Sequence, residues 1–199
     1  MRPDDVSRET RERINAFRSE FRRWAPRINL TSAGERGRLD ERHIADSLQL
    51  MAIRPPRGQW FDIGTGGGFP GAILAAAEPD HEATVTMVES NNKKAAFLRS
   101  ACTAMGARAR VVAERAETVV ARTPPPDTVS ARALAPLDDL LTMLEPWLAK
   151  GTVGLFPKGR RAEEEIAAAL LRWRFGCERH ASQTASDATI LEITALSRA

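Results

Sequence analysis

The segment Trp60-Phe61-Asp62-Ile63-Gly64-Thr65-Gly66-Gly67-Gly68-Phe69-Pro70-Gly71 constrains the fold more than any other part of the chain, because an apolar strand runs straight into five glycines within eight residues. Glycine permits a tight turn and lets the backbone approach a ligand with no Cβ in the way. A strand that enters such a turn and leaves it through the apolar run Gly71 to Ala77 is the opening unit of an α/β sheet. In such sheets the ligand site lies at the carboxyl end of the first strand. Turning alone does not call for so many glycines.

The chain that follows alternates in the same way. Strands are expected at 59–63, 84–88, 109–113, 128–132 and 152–156, and helices at 71–77, 91–105, 137–149 and 160–173. This alternation implies a mostly parallel sheet covered by helices. Phe175 to Gln183 and Thr189 to Leu196 read as two strands with no helix between them, so an antiparallel C-terminal hairpin completes a seven-stranded sheet. That ending marks the Rossmann-like α/β fold of class I methyltransferases. Before the alternation begins, Ile14, Phe17, Phe21 and Trp24 recur at helical spacing over 7–24, and a second helix is expected over 39–53. A length of 199 residues fits one domain. The expectation is a single domain over 1–199, with residues 1–55 as a helical cap and 56–199 as the ligand-binding core.

The acids around the glycine turn indicate which ligand. Gly66, Gly68 and Gly71 satisfy the G-x-G-x-x-G spacing of dinucleotide sites, but Asp62 stands two residues before the first glycine. A carboxylate there repels a pyrophosphate and suits a cationic amine, which S-adenosylmethionine carries. Glu89 ends the second strand, 25 residues after Gly64, where an acid meets ribose hydroxyls. An ordinary helix-capping acid is the alternative for Glu89. After the third strand, Ala116 and Glu117 offer backbone and carboxylate to an adenine edge. S-adenosylmethionine is the expected cofactor, held by Asp62, Gly64, Gly66, Gly68, Glu89, Ala116 and Glu117.

Charge and composition narrow the setting. The net charge is +3, and arginine far outnumbers lysine; arginine forks pair bidentately with phosphate. Arg8 to Arg27 and Asn91 to Arg115 are locally basic segments, readable as nucleic-acid-facing patches or simply as solvated helix faces. Cys102 and Cys177 lack metal-ligand spacing, and His43, His81 and His180 are widely scattered, so no metal is expected. No apolar run approaches membrane-spanning length, and Met1-Arg2-Pro3-Asp4-Asp5 lacks the order of a secretory signal. A cytoplasmic protein with no membrane partner is expected.

With these residues in view, the sequence resembles the bacterial RsmG (GidB) family, which methylates N7 of a guanine in 16S ribosomal RNA. The resemblance spans nearly the whole chain. It rests on Asn29-Leu30-Thr31-Ser32, Arg42-His43-Ile44-Ala45-Asp46-Ser47, the glycine loop, Ser130-Ala131-Arg132-Ala133 and Phe156-Pro157-Lys158-Gly159. It implies that Gly64, Phe69, Ala116, Glu117 and Arg132 contact the cofactor, and that the partner is 16S ribosomal RNA or a small-subunit particle; a monomer is expected. Gly67 stands where proline or alanine is also familiar in that family, and is expected to add flexibility.

Guanine N7 has a lone pair and no proton, so attack on a sulfonium methyl needs orientation and no general base. Arg132 and Lys158 end the fourth and fifth strands on the ligand-bearing edge and are the expected catalytic pair, with Lys158 also a substrate contact. Structural pairing is the alternative for both. Asn29 and His43 are expected either to contact substrate or to fix the cap onto the sheet. A nicotinamide-dependent oxidoreductase and a noncatalytic RNA-binding module are the rival readings; Asp62 and the antiparallel ending weigh against the first, the cofactor loop against the second.

Overall fold

The computed structural model describes residues 6–30, 39–77 and 83–199. Residues 1–5, Thr31 and Ser32 of the first family motif, and His81 lie outside the described residues.

One sheet organises the molecule. Its strands are β1 (Gly58–Ile63), β2 (Ala83–Val88), β3 (Ala109–Val112), β4 (Thr128–Ala131), β5 (Val153–Lys158), β6 (Trp173–Ala181) and β7 (Thr189–Arg198). They lie in the order β3-β2-β1-β4-β5-β7-β6. Pairings from β3 across to β5 are parallel, and β7 runs antiparallel between β5 and β6. The mostly parallel sheet with an antiparallel C-terminal hairpin is as the sequence implies. Strand order reverses between β1 and β4, which opens a crevice at their carboxyl ends. Register sets Asp62 beside Ser130 across that seam.

The helices are α1 (Arg8–Trp24), α2 (Ala45–Ile53), α3 (Gly71–Ala77), α4 (Asn92–Met105), α5 (Ala116–Arg122), α6 (Leu137–Leu148) and α7 (Ala162–Ala169). Side-chain alternation along β1 divides the core: Trp60 joins Phe17, Phe21, Ile73 and Phe97 on one face, while Phe61 and Ile63 join Leu141, Trp147 and Phe156 on the other. The first layer seats the cap. α1 begins where the Ser7 hydroxyl accepts from Thr10 N at 3.1 Å and buries Ile14, Phe17 and Phe21.

Three local outcomes depart from the sequence reading. A short helix, α5, follows β3 where only a loop is expected, because Val119 and Val120 find a buried face. The second cap helix starts as a π-helical turn, Leu39–Ile44, that passes into α2. The expected helix over 160–173 is shorter at both ends: Trp173 is the first residue of β6, buried and donating from its indole to Asp138 at 2.8 Å.

Candidate active site

The glycine turn is built around Asp62. Gly64, Gly66 and Gly68 take positive φ values of 68°, 55° and 93°, a region that side chains disfavour. Gly64 N donates to Val88 O at 2.9 Å, so the turn hangs from the end of β2. Beneath it Asp62 is fully buried (0% exposed). One carboxylate oxygen accepts from Gly71 N at 2.9 Å and from the Thr65 hydroxyl, and the other accepts from the Ser130 hydroxyl at 2.8 Å. Ser130 itself accepts from the Trp60 indole at 3.0 Å, which aims its proton at Asp62. A Cβ on Gly71 would lie 2.8 Å from the Asp62 carboxylate and 2.6 Å from Met87, so glycine there serves close approach. Burial pushes the Asp62 pKa up to about 6, against the opposing pull of Thr65, Ser130, Gly71 and Arg132. Asp62, the expected anchor of the cofactor amine, thus holds the turn from below.

A cleft of about 330 Å³ opens above the turn, lined among others by Gly64, Gly66, Glu89, Lys94, Ala116 and Glu117. The Glu89 carboxylate accepts from Gly66 N at 3.0 Å and from Asn91 N at 2.7 Å. Each oxygen keeps a further lone pair that can accept a ribose hydroxyl. Val88, Leu134 and Met143 supply apolar wall. Acceptors at one side, glycine backbone beneath and apolar wall around fit a nucleoside with a short aliphatic arm. Gly68 and Phe69 are not among the residues that line this cleft. Both are buried under the cap, Gly68 against the Phe17 ring and Phe69 edge-on to Phe17 at 5.4 Å. Gly67 is also packed, since a Cβ there would meet Leu30 O at 2.7 Å, so close packing replaces the expected flexibility.

A second cleft of about 380 Å³ adjoins the first, and Ala133 and Leu134 line both. Arg42, Asp46, Arg132, Lys158 and Glu165 bring polar groups to it. Arg132 therefore faces this cleft, not the one that holds the expected cofactor residues. Its guanidinium meets His43 Nδ1 at 2.6 Å and Asp46 at 3.3 Å. Since arginine can only donate, the imidazole nitrogen accepts. His43 is buried and stacks on Phe69, ring centroids 5.1 Å apart. It thereby ties the cap to both the glycine turn and the end of β4. Lys158 donates to Ala135 O at 2.8 Å and pairs with Glu165 at 2.8 Å. Asn29 is exposed and lines neither cleft.

Lys94, Leu134, Asp46 and Glu165 are cleft residues that the sequence reading missed. Asp46 lay inside a quoted motif, and Lys94 follows the Asn91 cap of α4, so both had a local signal; Leu134 and Glu165 had none. Away from the clefts, Glu178, His180 and Glu192 gather ligand-type atoms within 4.8 Å on the C-terminal hairpin. There His180 hydrogen-bonds with Glu192 at 2.9 Å, and Arg54 lies 3.9 Å from the same carboxylate. Burial raises the thiol pKa of both Cys102 and Cys177. No described helix is long and apolar enough to cross a membrane.

Comparison with known proteins places this geometry. The family model described as rRNA small subunit methyltransferase G matches residues 10–192. Proteins named ribosomal RNA small subunit methyltransferase G are similar to the chain. The one from Chelativorans sp. (strain BNC1) is 44% identical, covering 97% of this chain and 92% of the relative. The one from Rhizobium meliloti (strain 1021) is 46% identical, with coverage of 97% and 92%. Among solved structures, the O-methyltransferase from Bacillus cereus in complex with SAH superposes with a TM-score of 0.58 at 13% identity, covering 94% of this chain and 91% of that one. At that identity the likeness shows the fold alone, a Rossmann-like α/β sheet.

Proposed function

Because the chain belongs to the rRNA small subunit methyltransferase G family, we propose that it transfers the methyl group of S-adenosylmethionine to N7 of a guanine in 16S small-subunit ribosomal RNA. The observation that carries the reading is the pair of adjoining clefts at the carboxyl edge of the sheet, which meet at Ala133 and Leu134. One has the lining of a nucleoside site; the other is open and polar enough for a base and its phosphate.

Bound S-adenosylmethionine supplies an electrophilic methyl on a sulfonium. The chain's own work is orientation. Glu89 accepts from the ribose, Gly64 and Gly66 give backbone contact, and Ala116 and Glu117 border the adenine end. Asp62 acts through the turn it holds. Guanine N7 needs no proton removed, so the chain supplies no general base. Arg132 lies in the second cleft, where donation to guanine O6 or to a phosphate leaves the N7 lone pair unblocked. Asp46 and His43 fix the guanidinium, so His43 serves the substrate through Arg132. Asn29, exposed at the edge of the cap, is assigned to the RNA outside the base cleft. The reading includes action in the cytoplasm as a monomer.

Isothermal titration tests the cofactor assignment against the overlapping dinucleotide motif. Binding of S-adenosylmethionine or S-adenosylhomocysteine with no heat from NAD is expected. Binding of NAD alone would return the site to the oxidoreductase reading.

A further inference from the structure

Lys158 ends β5 where a substrate-facing cation belongs, yet its ammonium is committed elsewhere. Its side chain is only 8% exposed, Nζ donates to Ala135 O at 2.8 Å, and the same nitrogen lies 2.8 Å from Glu165 Oε2. That carboxylate oxygen also accepts from Leu137 N at 2.8 Å. Lysine and glutamate thus grip the backbone on both sides of Pro136. The gripped segment has reason to need holding. Ala133 takes a φ of 51°, in the left-handed region that a residue with a Cβ seldom adopts. Next to it Leu134 is 39% exposed, although it is a large apolar residue. Its side chain lies across the glycine turn, since a Cβ on Gly64 would be 2.7 Å from Leu134 Cδ1.

Leu134 is therefore a wall common to the two clefts, and its place is set by a segment that would not adopt this course unaided. We propose that Lys158 and Glu165 are a positioning pair that clamps Ala135 and Leu137, so that Leu134 stands between cofactor and base and defines the line along which the methyl travels. A partly buried ion pair whose members each also bond a backbone group fixes geometry more than it adds stability. A lysine kept for phosphate would instead present an exposed head with no carboxylate on it. The proposal rests on the methyltransferase reading given above, and it takes Lys158 out of direct substrate contact.

Steady-state methyl transfer from labelled S-adenosylmethionine to small-subunit particles separates the possibilities. The variants are Lys158→Met, Glu165→Gln, the double variant and Leu134→Ala, assayed below their melting temperatures. A misplaced wall costs orientation, so kcat is expected to fall about tenfold or more in Lys158→Met and in Glu165→Gln, with KM for the particle within about threefold. The double variant should be no worse than the poorer single, because the two residues act as one clamp. Leu134→Ala alters an exposed side chain and leaves the clamp intact, so it tests the wall even if a clamp variant fails to fold; it should reproduce the loss of kcat.

A direct RNA contact gives the opposite pattern. Lys158→Met would then raise KM, and Glu165→Gln, by removing a negative charge from an RNA-facing cleft, would improve binding; that pattern overturns the proposal, as does full kcat in Leu134→Ala. Wild-type protein that transfers no methyl would instead defeat the methyltransferase reading on which the clamp depends. An active wild type with indifferent variants defeats the clamp alone.

Discussion

At the residue scale, Asp62 shows what residue type and offset reveal and what they leave out. A carboxylate two residues before Gly64 identifies the kind of loop, but its burial depends on the Ser130 hydroxyl, 68 positions away, and on Gly71 folding back over it. Long-range closure of this sort leaves no local trace. Asp62→Asn should cost about 1–3 kcal/mol of stability at neutral pH, because an amide nitrogen facing Gly71 N, Thr65 or Ser130 leaves donors unmatched. The pH dependence has a definite sign. The folded pKa, about 6, lies above the unfolded 3.8, so the folded state binds the extra proton between those values. Stability conferred by the neutral acid is complete below about pH 4 and is lost as pH rises to about 6. Urea denaturation of wild type against Asp62→Asn should show the wild-type advantage shrinking across that window; parallel curves would contradict the buried, raised carboxyl. The place of Glu89 at the end of the second strand was legible, since that is a local pattern. Glu89→Ala should raise the dissociation constant of S-adenosylmethionine with little change in kcat at saturation, because ribose contacts act on ground state and transition state alike. A fall in kcat alone would place Glu89 at the reacting centre.

At the element scale, strand and helix alternation was readable wherever apolar periodicity was long. It failed where elements are short. α5 has seven residues and buries only Val119 and Val120, too little to register as a period, and Trp173 belongs to a strand because Asp138 of α6 receives its indole. The cap illustrates a coupling invisible to periodicity. Phe17 and Phe21 were legible as an apolar stripe, but their seat on the glycine turn, through Phe69 and Gly68, arises only when α1 docks. Some of the glycines that suggest ligand approach also give the cap room. Phe17→Ala should therefore cost about 3–5 kcal/mol, as large-to-small core changes do. It should also weaken cofactor affinity through the loosened turn. Thermal melting and calorimetry check the two effects, and a large loss of stability with untouched affinity would uncouple cap from turn.

At the scale of the whole molecule, the sheet places two adjoining clefts on one edge, with the β1/β4 seam beneath and the cap packed over the side. Four motifs that lie far apart along the chain gather there: the glycine loop supplies Gly64 and Gly66, Arg42 to Ser47 supplies His43 and Asp46, the β4 end supplies Arg132, and the β5 end supplies Lys158. What the sequence could not convey is the division of labour among them, because an arginine and a lysine at neighbouring strand ends look alike until their partners are known. Arg132 stays at the cleft, while Lys158 turns to the backbone. Methyl transfer to N7 of a guanine in the small-subunit RNA is the reaction proposed for these clefts. The direct measurement incubates the protein with labelled S-adenosylmethionine and small-subunit particles lacking the modification, then maps the labelled nucleotide. Label on a single guanine, released by the mild depurination and strand scission that N7-alkylated guanines undergo, is the expected result. Label on an exocyclic amine, a ribose hydroxyl or protein, or none in RNA at all, would contradict it.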